Sequence, residues 1–415
     1  MLLKIFLVFV FIMDAIFARN LSLVCRTPEG YFEGSESSSD CWYDPDVNVL
    51  PEKLAQNHDL SLEKHLVHTE DGWILTTFRL KTVRGYGKGV VFLQHGMMTD
   101  AMCFMVNGDH SIAFFLAKQG YDVWLGNFRG SDVSTHARLK RSDKDFWDFS
   151  FHEHALYDLP AFFKYVTQKT QSKILYIGHS MGGTTMAIYL STNPVESKKY
   201  IERSILFQSP TYMRHTKGLV ARSVVNDIYG VLGALPSMGM NALMETHSFE
   251  RQSTIQYCSA SLADLRSCLK LSDLINGDCD FPFPPENFFI GLLTVRNCAF
   301  RVLYHYAQVI RSGEFRMYDY GPKGNLNRYN SSVPTSYNLE HLPNDITWIF
   351  GTTDALATKE DALETFERFK RPGWDIHEIP YNHLNAFVDN VHVAQHFFPL
   401  LSKVIEQHIN KGTLK

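Results

Sequence analysis

The strongest constraint in this sequence is an apolar run that leads directly into a glycine-flanked serine. Ile174-Leu175-Tyr176-Ile177 is followed by Gly178-His179-Ser180-Met181-Gly182, and Thr185 to Leu190 then has helical character. A chain that passes from a buried strand into a helix within five residues crowds its own backbone. Glycines at both ends of a G-x-S-x-G sequence remove the side chains that would collide there. The serine hydroxyl is thereby presented above the carboxyl edge of a sheet. On their own the five letters describe a common Gly/Ser turn; the strand before them and the helix after them point to a nucleophile.

A short, continuously apolar strand is expected in a parallel sheet covered by helices on both faces. The neighbouring sequence fits that sheet. Lys64 to His68 and Trp73 to Leu80 flank the hairpin signal Asp71-Gly72. Val90-Val91-Phe92-Leu93 and Tyr121 to Leu125 are further buried strands, with helices predicted over Ile112 to Gln119 and Glu153 to Gln168. The alternation predicts a doubly wound, mostly parallel α/β sheet. From 211 to 335 the rhythm is lost in a segment rich in Met, Phe, Tyr and Pro, which reads as a largely helical cap or lid insertion. It returns with Thr347 to Phe350, a helix from Lys359 to Phe369, a strand near Ile376 to Ile379 and a closing helix from Val391 to Ile409. The expected organisation is an arm over 19–60, a core over 61–210 and 336–415, and a cap over 211–335.

Residues 1–18 stand apart. Lys4 precedes an apolar run from Ile5 to Met13, and Ala15-Ile16-Phe17-Ala18 offers a small residue for cleavage, so the segment reads as a secretory signal peptide. No later stretch is long and apolar enough to span a bilayer. Export to a secreted or lysosomal setting makes disulfides compatible with the seven cysteines. Spacing suggests Cys25 with Cys41 and Cys268 with Cys279, then Cys258 with Cys298, leaving Cys103. Asn330-Ser331-Ser332 and Asn20-Leu21-Ser22 are glycosylation acceptors, Asn330 being the better placed. Forty Lys+Arg against 44 Asp+Glu give a net charge of −4. That leaves no basic footprint for nucleic acid.

A serine hydroxyl needs a base, and the base needs a third group to fix its tautomer. In this architecture the chain order is Ser, acid, His. Asp354 follows the strand Thr347 to Phe350 through Gly351-Thr352-Thr353, and His383 follows the strand near Ile376 to Ile379. Asp345, which precedes a strand, and Asp361, inside a helix, are poorer placed, as are His377, His392 and His396. Ser180, Asp354 and His383 are therefore the candidate triad. Two backbone N–H groups should receive the oxyanion, one from Met181 after the serine and one from Met97 after the strand-ending Gln94-His95-Gly96. His152-Glu153-His154 has metal-ligand residue types without a third ligand at recognisable spacing, so it reads as a solvated helix start. No G-x-G-x-x-G or Walker sequence is present, and neither cofactor nor metal is expected.

Together these residues resemble the acid lipases of the α/β-hydrolase fold. The resemblance is carried by Thr69-Glu70-Asp71-Gly72-Trp73-Ile74-Leu75, Leu93-Gln94-His95-Gly96, Asp122 to Asn127, Phe149-Ser150-Phe151, Tyr157 to Ala161 and Gly178-His179-Ser180. Tyr318-Asp319-Tyr320-Gly321 and Tyr381-Asn382-His383-Leu384 extend it. It implies a helical cap with a movable lid, and hydrolysis of triacylglycerols or cholesteryl esters at a lipid–water interface. It matches Ser180, Asp354 and His383 to the family triad, Met97 and Met181 to its oxyanion positions, and Cys268–Cys279 to its cap disulfide. The chain departs at Met181, where glutamine is usual, at Phe128, in place of serine, and at Asn385, in place of aspartate. The arm with Cys25 and Cys41 lies outside the resemblance. Rival readings are a general carboxylesterase or peptidase of the same fold, and a non-catalytic lipid-binding protein.

Overall fold

The computed structural model describes residues 22–33, 39–47, 49–82, 85, 87–217, 225, 233, 235–246, 248–278, 284–342 and 345–409. The expected signal peptide, Asn20 and Cys279 lie outside the described residues.

The main sheet comprises β1 (Ser61–His68), β2 (Trp73–Lys81), β3 (Val90–Gln94), β4 (Asp122–Gly126), β5 (Thr135–His136), β6 (Ile174–His179), β7 (Ile201–Phe207), β8 (Ile346–Gly351) and β9 (Asp375–Ile379). Its order is β9-β8-β7-β6-β3-β4-β2-β1, with β5 paired to β2. The strands from β9 to β4 are mutually parallel, and the β1–β2 hairpin adds antiparallel to β4. This is the expected mostly parallel α/β sheet, with the hairpin as its antiparallel edge.

Both faces of the strands are apolar, so alternate residues enter different cores. Phe92 and Tyr176 point into one with α2 (Leu159–Thr170) and α3 (Met181–Thr192). Val91, Leu93, Leu175 and Ile177 point into the other with α1 (Ile112–Lys118) and the closing α10 (Phe398–Ile409). That period of two, with hydrophobic residues on both phases, produces the continuous apolar runs. The apolar pattern gives no warning of β7, because Glu202 and Arg203 interrupt it. Arg203 is nevertheless buried, bonding to Thr347 and, at 2.8 Å, to the Asp375 carboxylate.

Between β7 and β8 the chain leaves the sheet and forms a helical cap. Its larger helices are α4 (Phe249–Cys258), α5 (Leu262–Asn276), α6 (Pro285–Thr294), α7 (Phe300–Ser312) and α8 (Gly321–Tyr329). Helix α9 (Lys359–Phe369) belongs again to the sheet layers. Cys25 bonds to Cys41. Cys268, in contrast to the expectation from spacing and resemblance, bonds to Cys258. The two cysteines lie at the end of α4 and in the middle of α5, consecutive helices in contact, and their Cα atoms approach to 5.9 Å. Cys298 is a buried free thiol, as is Cys103.

The arm packs on the cap. Cys25 and Tyr31 share an apolar cluster with Cys258, Leu265, Phe288 and Phe289. Tyr31 donates its hydroxyl hydrogen to the Pro285 carbonyl, and Arg266 pairs with Glu29.

Candidate active site

The chain runs from β3 to β4 on one side and later returns through β6 on the other. The carboxyl ends of β3 and β6 therefore flank a point where the connections diverge and leave a crevice. Ser180 stands there, one residue beyond β6 and immediately before α3. Its backbone has φ 51° and ψ −119°, a left-handed conformation that is costly for a residue with a side chain. The surroundings enforce it: the Ser180 N–H donates to the Phe207 carbonyl at 2.9 Å, and the Ser180 carbonyl accepts from Gly183 and Thr184. Close approach requires the flanking glycines. A Cβ at Gly178 would lie 2.6 Å from the Gly182 carbonyl carbon, and one at Gly182 would lie 2.4 Å from the Gln94 carbonyl oxygen.

Asp354 and His383 reach the same point from the ends of β8 and β9. His383 Nε2 is 2.8 Å from Ser180 Oγ, and its Nδ1 is 2.7 Å from Asp354 Oδ2. Because the carboxylate can only accept, Nδ1 carries hydrogen and Nε2 is left to accept from the serine hydroxyl. The other Asp354 oxygen accepts the N–H groups of Leu356 and Ala357 at 2.8 and 2.9 Å. All three residues are buried, with Ser180 the most accessible at 8% exposure.

His179 is buried beside them, and its Nε2 lies 3.0 Å from the His383 carbonyl, to which it donates. Burial, with the neighbouring His383, pushes its pKa well below the ordinary value, so it adds no charge to the site.

Met181 is the first residue of α3, so its N–H is one of those for which the helix itself supplies no acceptor. Met97 follows Gly96, whose Cα approaches the serine so closely that an added Cβ would be 3.0 Å from Ser180 Cβ. Met97 and Met181 line one cavity with Met98, Phe128, Phe149 and Val302. His95 ties this loop down. Its Nδ1 donates to the Gly96 carbonyl at 2.8 Å, and its Nε2 accepts the Phe128 N–H at 3.2 Å. Burial pushes the His95 pKa down to about 4, which keeps Nε2 unprotonated for that contact at neutral pH.

A model described as "Partial alpha/beta-hydrolase lipase region" matches residues 51–108, and one described as "alpha/beta hydrolase fold" matches 89–217. Human gastric triacylglycerol lipase is 33% identical over 82% of this chain and 87% of its own length. The mouse gastric enzyme is 31% identical over 82% and 88%, and mouse lipase member K 29% identical over 88% and 93%. The chain belongs to the acid lipase family of α/β hydrolases. It is a carboxylic ester hydrolase.

Two of the departures from the family pattern sit in defined surroundings. Phe128 is buried between two histidines, its ring stacked on His154 at 4.4 Å and edge-on to His95 at 5.1 Å. Asn385 accepts the Asn382 N–H through its side-chain oxygen, a role open equally to a carboxylate. His154 corrects the expectation of a solvated helix start. Ser150 does cap that helix, with Glu153 completing the capping box, but His154 is buried and bonds to Asp158 at 3.1 Å. Burial opposes the ionisation of Asp158, and the guanidinium of Arg129 overcomes that effect, leaving its pKa below the ordinary value. These groups are committed to one another.

Gln208 was not legible as a site residue. Its side-chain amide donates to Asp354 Oδ2 at 3.0 Å and to the Asn382 carbonyl at 2.7 Å, joining the acid's loop to the base's loop. Its position directly after the buried strand β7 carried no sequence signal, because β7 itself is not announced by an unbroken apolar run. Among the described residues His215, Asp361 and Glu364 could hold a metal, but the cluster lies apart from Ser180, and its Glu364 already pairs with Arg214 at 2.5 Å.

Proposed function

We propose that the protein hydrolyses neutral lipid esters, triacylglycerols or cholesteryl esters, with Ser180 as nucleophile, His383 as base and Asp354 as the group that orients it. The observation carrying this reading is the unbroken hydrogen-bond chain from Ser180 Oγ through both nitrogens of His383 to Asp354. Ser180 Oγ attacks the ester carbonyl carbon as His383 Nε2 takes its proton. The carbonyl π electrons move onto oxygen, where the N–H groups of Met97 and Met181 receive the charge. The C–O bond to the alcohol then breaks as His383 returns the proton to the leaving oxygen. Water, deprotonated by His383, attacks the acyl-enzyme and releases the fatty acid and Ser180. Asp354 fixes the orientation of the imidazolium and stabilises it.

The cavity beside the oxyanion donors has polar lining from Arg129, Arg296 and Asn297, and its apolar part, with Met97, Met98, Phe128 and Val302, suits an uncharged acyl chain. The gastric relatives are named for triacylglycerol, which supports the same substrate class. Ser180→Ala is expected to lower ester hydrolysis on the order of 1,000-fold or more with folding intact. An undiminished rate would remove the assignment. A chain-length series running from soluble short-chain esters to emulsified triglyceride separates a lipase from a general carboxylesterase, which would favour the soluble esters throughout. If Ser180→Ala leaves lipid binding as the sole activity of both proteins, the carrier reading replaces the enzyme.

Export, by secretion or to lysosomes, belongs to the same proposal. It rests on the 1–18 segment and the disulfide between Cys25 and Cys41. Asn330, exposed at the C-terminal end of α8, is the proposed glycan site. Loss of a mass shift on glycosidase treatment in Asn330→Gln would confirm it, and an unchanged shift would exclude it. Among the described residues no helix is long and apolar enough to cross a membrane.

A further inference from the structure

The end of cap helix α5 lies against both loops that carry the partners of Ser180. We propose that Asn276-Gly277 is a positioning element for Asp354 and His383, an inference that rests on the catalytic reading above. The Asn276 carbonyl accepts two N–H groups at 3.1 Å, one from Ala355, the residue after Asp354, and one from His383 itself. The next carbonyl, that of Gly277, accepts the Asn382 side-chain amide at 3.1 Å. Two consecutive carbonyls of one cap segment thus hold the acid's loop and the base's loop in register.

The arrangement has a physical origin in the helix end. The last carbonyls of a helix have no acceptor role within it, and here they find N–H groups on the core. The same end carries partial negative charge, the sign that favours the imidazolium formed at His383 during attack. Ala355 and His383 are both buried, so loss of the Asn276 carbonyl would leave two N–H groups without water to replace it. Ala355 is also gripped where the cap begins, since its carbonyl accepts the Lys217 N–H at 3.0 Å.

The contact has no slack. Gly277 has φ 106° and ψ 150°, a conformation essentially restricted to glycine. A Cβ there would lie 1.9 Å from the Thr353 carbonyl oxygen and 3.0 Å from the Ala355 nitrogen. Any side chain at 277 must lift the helix end or displace the residues next to Asp354. The far half of α5 is seated by Leu265, fully buried among Cys25, Tyr31, Cys258, Phe288 and Phe289. Leu265 is about 16 Å from Asn276 along the helix axis. Disturbing that seat should reach the triad through the helix, and also through α6, whose Asn287 side-chain amide donates to the Val388 carbonyl a few residues beyond His383.

Gly277→Ala is expected to lower kcat for a soluble short-chain ester about 10-fold or more while KM stays within about twofold, because misplacement of the base affects attack rather than binding. Amide hydrogen exchange at Ala355 and His383 should accelerate in the same variant. Gly239→Ala is the control: its φ of 83° is comparably unfavourable, but nothing lies within 4 Å of the added atom, so kcat should match wild type. Leu265→Ala should reproduce the fall in kcat in weaker form, and it carries the test if Gly277→Ala does not fold. A wild-type kcat in Gly277→Ala, or in Leu265→Ala where that is the variant available, overturns the proposal, as does an equal fall in Gly239→Ala. Ser180→Ala measured alongside keeps the two readings separate. Hydrolysis surviving in Ser180→Ala removes the catalytic assignment, whereas hydrolysis lost there but intact in Gly277→Ala removes only the positioning role.

Discussion

The sheet layers and the α4–α5 pair of the cap are held in place by different means. Strands β3, β4, β6 and β8 are buried at every residue, and α3 is buried from Met181 to Leu190. Helix α5, although longer than α3, buries only Leu265 and Asn276, and α4 buries only Arg251 and Cys258. Apolar area positions the core, so many residues share the load. The helix pair depends on a few specific links: the Cys258–Cys268 bond, the Ser248 and Ser261 caps, the arm against Leu265, and the backbone contacts at Asn276. The core should therefore yield gradually to substitution, and the pair abruptly at particular points.

The largest stability effect should come from the core side. Phe162→Ala empties a fully buried position where α2 packs on Phe92, and should cost about 3–5 kcal/mol in denaturant unfolding. A cost below about 1 kcal/mol would show that the layer is less tightly packed than described.

A pH titration acts on the core at His95 and on cap helix α7, packed against it, at His305. His95 has a native pKa lowered to about 4 by burial, against roughly 6.5 unfolded, so between those values the unfolded chain binds the extra proton. Its stabilising contribution is complete above pH ~6.5 and falls away as the pH drops through about 4, a loss of about 3 kcal/mol from this residue. Burial pushes the stacked His305 to about 3, which acts in the same direction. Unfolding free energy measured from pH 7 to 4 should fall, with a shallower slope in His305→Phe; a flat profile would contradict both burials.

On the cap side, Cys258→Ser with Cys268→Ser should cost about 2–3 kcal/mol, the loop-closure value for this separation. Hydrogen exchange should rise over 249–276 while β3, β6 and β8 stay protected. Uniform acceleration would mean that the two regions unfold as one unit. The smallest effect is expected at the surface of α5. Leu271→Ser and Leu274→Ser, both exposed, should change stability by less than about 0.5 kcal/mol. A larger loss would mean that this face is packed rather than open.

The same contrast decides how much could be read from sequence. Val90 to Leu93 and Ile174 to Ile177 announce themselves because burial on both faces demands unbroken apolar runs. Ser180, Asp354 and His383 follow as residues at strand ends. β7 is silent because its buried Arg203 is bonded, through one guanidinium nitrogen, to Thr347 and Asp375, residues far away in the chain. The Cys258–Cys268 pairing depends on how two helices lie side by side, which spacing does not encode. Gln208 and Asn276 act through hydrogen bonds to distant loops, and in Asn276 the working group is a backbone carbonyl with no sequence signature.

The proposed chemistry depends on Ser180 being activated by His383. Incubation with a fluorophosphonate, followed by peptide mass spectrometry, tests it most directly. One covalent adduct is expected, on Ser180, absent in Ser180→Ala and forming on the order of 1,000-fold more slowly in His383→Ala. An adduct on another residue, or labelling of Ser180 at an unchanged rate without His383, would contradict it.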